Sequence, residues 1–195
     1  MSKIAAVILL LSGIIVPEAL GLWDTGYSPT ANYLSELGAL GSPTYNLANW
    51  LGFLPVGVVL IVLIFHLWRA LPKNWPTRLG LIFMSGMVIG YLGAFFYPCD
   101  MGCPADGVGR QAIHNLSGVL AYLMALIGLP LIAIGTRKSA PRAAQLTALA
   151  FLVVAASSVL MSVPEAQSYR GLSQRLADYS IFLWFAALTF QGKLR

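Results

Sequence analysis

Charge is what this sequence has least of. Asp, Glu, Lys and Arg make up 10% of its 195 residues and 58% are hydrophobic, whereas an average soluble domain is roughly 25% charged. So few charges cannot cover a solvated surface, and the chain reads as a membrane protein. Cysteine is nearly missing too. There are two, and their four-residue separation is not the C-x-x-C of redox or zinc motifs. Of the two histidines, His66 lies near one end of an apolar run, about 16 residues or roughly 24 Å of helix from its other end. His114 opens a later run at the opposite side. They cannot share a ligand, which excludes a bis-histidine haem and a three-histidine zinc site within one chain. No G-x-S-x-G nucleophile motif, low-complexity tract or internal repeat is present.

What is there is apolar and long. Six runs, at about 3–22, 44–69, 78–97, 111–135, 143–163 and 174–191, match the ~20 residues a helix needs to cross a bilayer. The turns Leu71-Pro-Lys-Asn-Trp-Pro-Thr-Arg78 and Thr136-Arg-Lys-Ser-Ala-Pro-Arg142 separate two pairs of them. The expected fold is therefore all-α, a polytopic bundle of six transmembrane helices forming one integral-membrane domain over 1–195. The net charge of +5 does not imply nucleic acid, because the basic residues sit beside apolar spans, where they set orientation.

In a six-span arrangement Lys3, Arg69, Lys73, Arg78, Arg137, Lys138, Arg142, Lys193 and Arg195 share one side, and Arg110, Arg170 and Arg175 the other. Basic residues are retained inside, so both termini are expected in the cytoplasm of a cell-membrane protein. All seven acids, Glu18, Asp24, Glu36, Asp100, Asp106, Glu165 and Asp178, map to the outer half. Lys3, the apolar Ile4 to Val16 and Ala19-Leu20-Gly21 also fit a cleaved signal peptide, which would leave five spans.

The outer segments carry the chemistry. Cys99 and Cys103, bracketed by Pro98 and Pro104, would lie where thiols oxidise, and a local disulfide is the preferred reading over inert thiols or metal and redox chemistry. Ser28-Pro29 resembles an N-cap, and a short interfacial helix is expected at about 29–37, with Asn32, Ser35 and Glu36 on one face. A solvated face explains these three as well as a site does. His114, in the first turn of the fourth span, suits a base. Arg175, a cation in a first helical turn, needs an anionic partner: Asp178, Glu36, Glu165 or a lipid phosphate. Glu18 is expected to face the bundle rather than lipid.

Three stretches, "YSPTANYLSELGA" at 27–39, "FYPCD" at 96–100 with "IHNLSG" at 113–118, and "GLSQRL" at 171–176, resemble the domain of unknown function 998 family of multi-pass membrane proteins. The resemblance implies a six-helix membrane fold and points to Ser35, Glu36, Asp100, His114 and Arg175 as the matching polar positions. It implies no reaction. The cysteine pair departs from the commonest family pattern, which favours a local stabilising role.

Three functions compete. A lipid hydrolase or transferase would use His114 as base, Asp100 as its orienting acid, Ser35 as nucleophile and Glu36 in support. Arg175, Asn32 and Glu165 would then hold the substrate. A variant places one metal on Asp100, His114 and Glu36 without any diagnostic spacing; no resident metal or other cofactor is assigned. A lipid or small-solute binding or transport protein would use the same charges for recognition. A structural protein would use them to lock helix ends, with Gly80, Gly86, Gly90 and Gly93 allowing close packing within the chain, or with a second copy or another membrane protein. Membrane lipids are the expected partners.

Overall fold

The computed structural model describes residues 1–191, which form helices, turns and loops with no strand among them. Five helices are long and apolar enough to cross a membrane: α1 (Ser2–Trp23), α2 (Tyr45–Ala70), α3 (Trp75–Phe96), α4 (Arg110–Thr136) and α5 (Pro141–Ser162). A sixth, α6 (Arg170–Phe190), has the length but carries Arg170, Arg175 and Asp178 in its first half. The all-helical bundle is as expected; by composition the spans number five rather than six.

Proline shapes α1 and α2. Pro17 and Pro55 lack the amide hydrogen a helix interior needs, and their rings crowd the carbonyl four residues earlier. In both cases the preceding turn is widened, at Leu11–Ile15 and Ala48–Phe53, which relieves that clash. Asn74 caps α3 by accepting from the Thr77 amide at 3.1 Å, and Gly109, with φ +58°, turns the chain into α4.

The glycine stripe of α3 is consumed inside the chain. A Cβ at Gly80 would stand 2.6 Å from the Gly128 carbonyl oxygen, one at Gly86 2.6 Å from Met124 Cβ and one at Gly90 2.7 Å from Ala121 Cβ. All three neighbours are on α4, so small residues let these backbones approach closely. The core is aliphatic and aromatic, with Leu60, Leu63, Leu67, Leu129, Ile132, Phe182 and Phe185 fully buried. Outside it Ile61, Leu116, Leu123, Leu149 and Leu152 are exposed, a belt suited to lipid rather than water. At the other end Arg78 lies 4.3 Å over the Trp68 ring and Arg69 4.1 Å over Phe65.

The expected helix at 29–37 is not formed. Residues 29–32 are turns, and a single 3-10 segment spans Leu34–Gly38. The cause is local competition: Asn32 Oδ1 accepts from the Ser28 amide at 2.8 Å and Glu36 Oε1 from the Tyr33 amide at 2.9 Å. Side chains that satisfy the backbone this way offer it an alternative to the helix.

Candidate functional site

Arg175 organises the polar end of the bundle. It is 5% exposed. Its Nε donates to Glu18 Oε1 at 2.8 Å, Nη2 to the Tyr27 hydroxyl at 2.8 Å, and Nη1 to the carbonyls of Pro29 at 2.7 Å and of Asn32 and Gly171 at 3.3 Å. Glu18 also accepts from the Tyr179 hydroxyl. The guanidinium thus ties α1 and the 27–32 turn to α6. Its anion is Glu18, which faces the bundle as expected, and not Asp178, Glu36, Glu165 or a lipid phosphate, the partners expected from the sequence. A planar fork with five donors can serve so many acceptors at once.

A second lock lies beside it. Arg170 Nη2 meets Glu36 Oε1 at 3.1 Å and Nε donates to the Ala31 carbonyl at 2.9 Å, while Glu36 Oε2 accepts from Asn32 Nδ2 at 2.7 Å. Gln174 Oε1 accepts from the Leu34 amide at 2.7 Å. Glu36 and Asn32 are therefore engaged in holding the loop. Glu165 is exposed in the Pro164–Tyr169 turn, apart from this cluster.

The cysteine loop closes the same end. Cys99 and Cys103 stand at disulfide distance with Cα atoms 5.2 Å apart, aided by the left-handed φ of +77° at Gly102 and +42° at Cys103. Asp100 pairs with Arg110, and its amide donates to Gln111 Oε1 at 2.7 Å. The Ser35 hydroxyl donates to Cys103 Sγ at 3.3 Å. Neither Asp100 nor Ser35 is bonded to His114. The imidazole instead donates from Nδ1 to the Tyr97 carbonyl at 2.9 Å, since a carbonyl only accepts.

Between α2, α3, α4 and α6 lies a cavity of about 70 Å³. Ser35 and His114 line it. So do three residues that the reading of the sequence left unassigned as a site, Tyr91, Tyr122 and Asp178, together with Gln174. Asp178 is 2% exposed; Tyr91 donates to its Oδ2 and Tyr122 to its Oδ1, each at 2.8 Å. Asp178 had one signal, an ionisable residue one turn after Arg175 in a helix that continues as Ile181-Phe182. Tyr91 and Tyr122 had none, because aromatics in apolar runs are ordinary core.

The expected constellation is thus divided. Ser35 and His114 share the cavity, whereas Arg175, Glu36, Asn32, Asp100 and Glu165 do not line it. The metal set Asp100, His114 and Glu36 is not assembled. Among the described residues the group of three metal-capable side chains is Cys99, Cys103 and His114, whose ligand atoms lie within 4.8 Å of one another, and two of these are paired as a disulfide.

A family model described as protein of unknown function (DUF998) matches residues 4–191. The chain belongs to that family. Neither a curated protein nor a solved structure matches it. Membership in the DUF998 family agrees with the apolar helices and assigns no reaction.

Two stability effects arise from this end. Closing so short a loop removes little chain entropy, so replacing both cysteines by serine should cost about 2 kcal/mol. Thermal unfolding checks this: reductant should lower the midpoint of the natural protein and leave that of the double variant unchanged.

The second effect concerns Tyr27. Burial pushes its hydroxyl up to about 12 against the opposing attraction of Arg175. The folded state therefore holds this proton more tightly than the unfolded chain, which releases it near 10. The contribution is present below pH 10 and is lost as pH rises from 10 to 12. Unfolding midpoints measured across that range should fall less steeply in Tyr27→Phe than in the natural protein.

Proposed function

We propose that the protein is a binding protein of the cell membrane whose ligand enters the cavity beside Asp178. In this reading α6 is a sixth span, the chain forms one domain, both termini are cytoplasmic, and the polar end faces outward, where the cysteine pair stays oxidised. The observation that carries it is the composition of the cavity. A buried carboxylate, an imidazole, two phenols, a hydroxyl and an amide converge on a space otherwise lined by apolar groups such as Leu34, Phe53 and Met87, the common make-up of a small-ligand site. The lipid hydrolase or transferase reading is less well supported. A serine nucleophile needs a base within about 3 Å, and the Ser35 hydroxyl is directed to Cys103 instead.

Gly118 offers a test that removes no polar group. It lines the cavity, and a Cβ there would meet no atom within 4 Å. Leucine at this position should fill the space while leaving the fold intact. Native mass spectrometry of protein extracted from its own membranes should show a bound species on the natural chain that Gly118→Leu lacks. Identical adduct profiles in the two proteins would refute a binding role for this cavity.

A further inference from the structure

We infer that the cavity accepts a small organic ammonium group, held by Asp178; this rests on the binding role proposed above. The reason is a charge mismatch at one end of the molecule. Arg110, Arg170 and Arg175 each face an acid, namely Asp100, Glu36 and Glu18. Asp178 has no ion-pair partner among the described residues, although it is far more deeply buried than Asp100, whose side chain is 51% exposed. Arg175 stands one turn earlier on α6, but its charge is engaged by Glu18 and its fork by Tyr27 and three carbonyls. What Asp178 receives instead is two neutral phenol hydrogen bonds. A buried carboxylate so placed calls for a positive charge.

The rest of the lining narrows the class. Each carboxylate oxygen accepts one phenol and keeps a further lone pair, so Asp178 can still take donors from a ligand. His114 donates from Nδ1 to Tyr97, and its second nitrogen has no hydrogen-bond partner among the described residues. Asp178 and His114 thus each present a free acceptor, as a group with several N–H donors requires. Phe53, Tyr91 and Tyr122 add aromatic surface, which attracts organic cations, whereas a hard metal ion asks for six or more oxygen ligands. About 70 Å³ holds a handful of water-sized groups, enough for an ammonium head and a short stem.

The amine could be carried by a soluble molecule or by a lipid such as an aminophospholipid; the chemistry recognised is the same. Calorimetric titration of the full chain in maltoside micelles tests it with three probes of equal length, n-hexylammonium, 1-hexanol and hexanoate. Hexylammonium should bind at least tenfold more tightly than either of the others. Asp178→Asn, nearly isosteric, should lose that preference, and Gly118→Leu should lose binding altogether. Adding a short-chain phosphatidylethanolamine should weaken hexylammonium binding if the natural source is lipid, whereas an equal amount of phosphatidylglycerol should not; a soluble source is indicated if neither competes. If 1-hexanol binds as well as hexylammonium, or Asp178→Asn binds unchanged, while Gly118→Leu still abolishes binding, the ammonium assignment is overturned and the cavity stands. If no probe binds the natural chain and Gly118→Leu behaves identically, both fall.

Discussion

Replacing Arg175 by leucine should lower the thermal unfolding midpoint by roughly 10 °C, from a loss of about 3 kcal/mol in a chain of this size. The side chain is buried and makes contacts to Glu18, Tyr27 and the carbonyls of Pro29, Asn32 and Gly171. Removing it leaves Glu18 without its cation, and carbonyls that lose their donor cost about 1–3 kcal/mol each when water cannot reach them. Lysine should recover only part of the loss, because a point charge can satisfy Glu18 but cannot reach carbonyls on two sides as a planar fork does. Fluorescence-detected size exclusion after heating measures the effect in crude extracts. An unchanged midpoint in Arg175→Leu would mean that the guanidinium is free for an external anion, as the lipid-phosphate reading requires.

An equally large loss is expected from Gly80→Val. The added Cβ would lie 2.6 Å from the Gly128 carbonyl oxygen and 3.0 Å from the Ile132 amide nitrogen, and backbone on a packed helix cannot step aside as a flexible side chain can. Overpacking of this kind costs about 1–3 kcal/mol in ordinary cores and more where the helices must separate. Gly118→Ala on α4 is the matched control. Its Cβ meets nothing, so it should be neutral or stabilising by up to about 1 kcal/mol through higher helix propensity. The Gly80→Val midpoint should fall well below that of the natural protein, and the Gly118→Ala midpoint should equal or exceed it. Equal midpoints for the two variants would mean that the α3–α4 crossing is not close-packed.

The helices were readable because length and hydropathy are local. The six runs agree with α1 to α6 to within a few residues at most ends, and the widened turns sit just before Pro17 and Pro55. The 27–38 segment misled because its periodicity favoured a helix, while Asn32 and Glu36 turn back to nearby amides, a competition that spacing does not reveal. The gathering of polar groups was legible from the acids. Their pairing was not: the sequence points Arg175 to Asp178, Glu36, Glu165 or a lipid phosphate, whereas its partner Glu18 lies 157 positions away with nothing local to single it out. Asp178 stood in view as one of seven acids, but its tyrosines come from two other helices.

A cysteine placed at Gly118 tests the Asp178 cavity most directly, since Cys99 and Cys103 are already paired. The rates of its modification by a cationic aminoethyl and an anionic sulfonatoethyl methanethiosulfonate should be compared with those at a cysteine replacing exposed Asp106. Relative to that surface site, the aminoethyl reagent should be favoured at position 118 by at least tenfold, and added hexylammonium should protect the thiol. A thiol that neither reagent reaches, or one that the anionic reagent modifies faster, would contradict an open cavity that draws positive charge to Asp178.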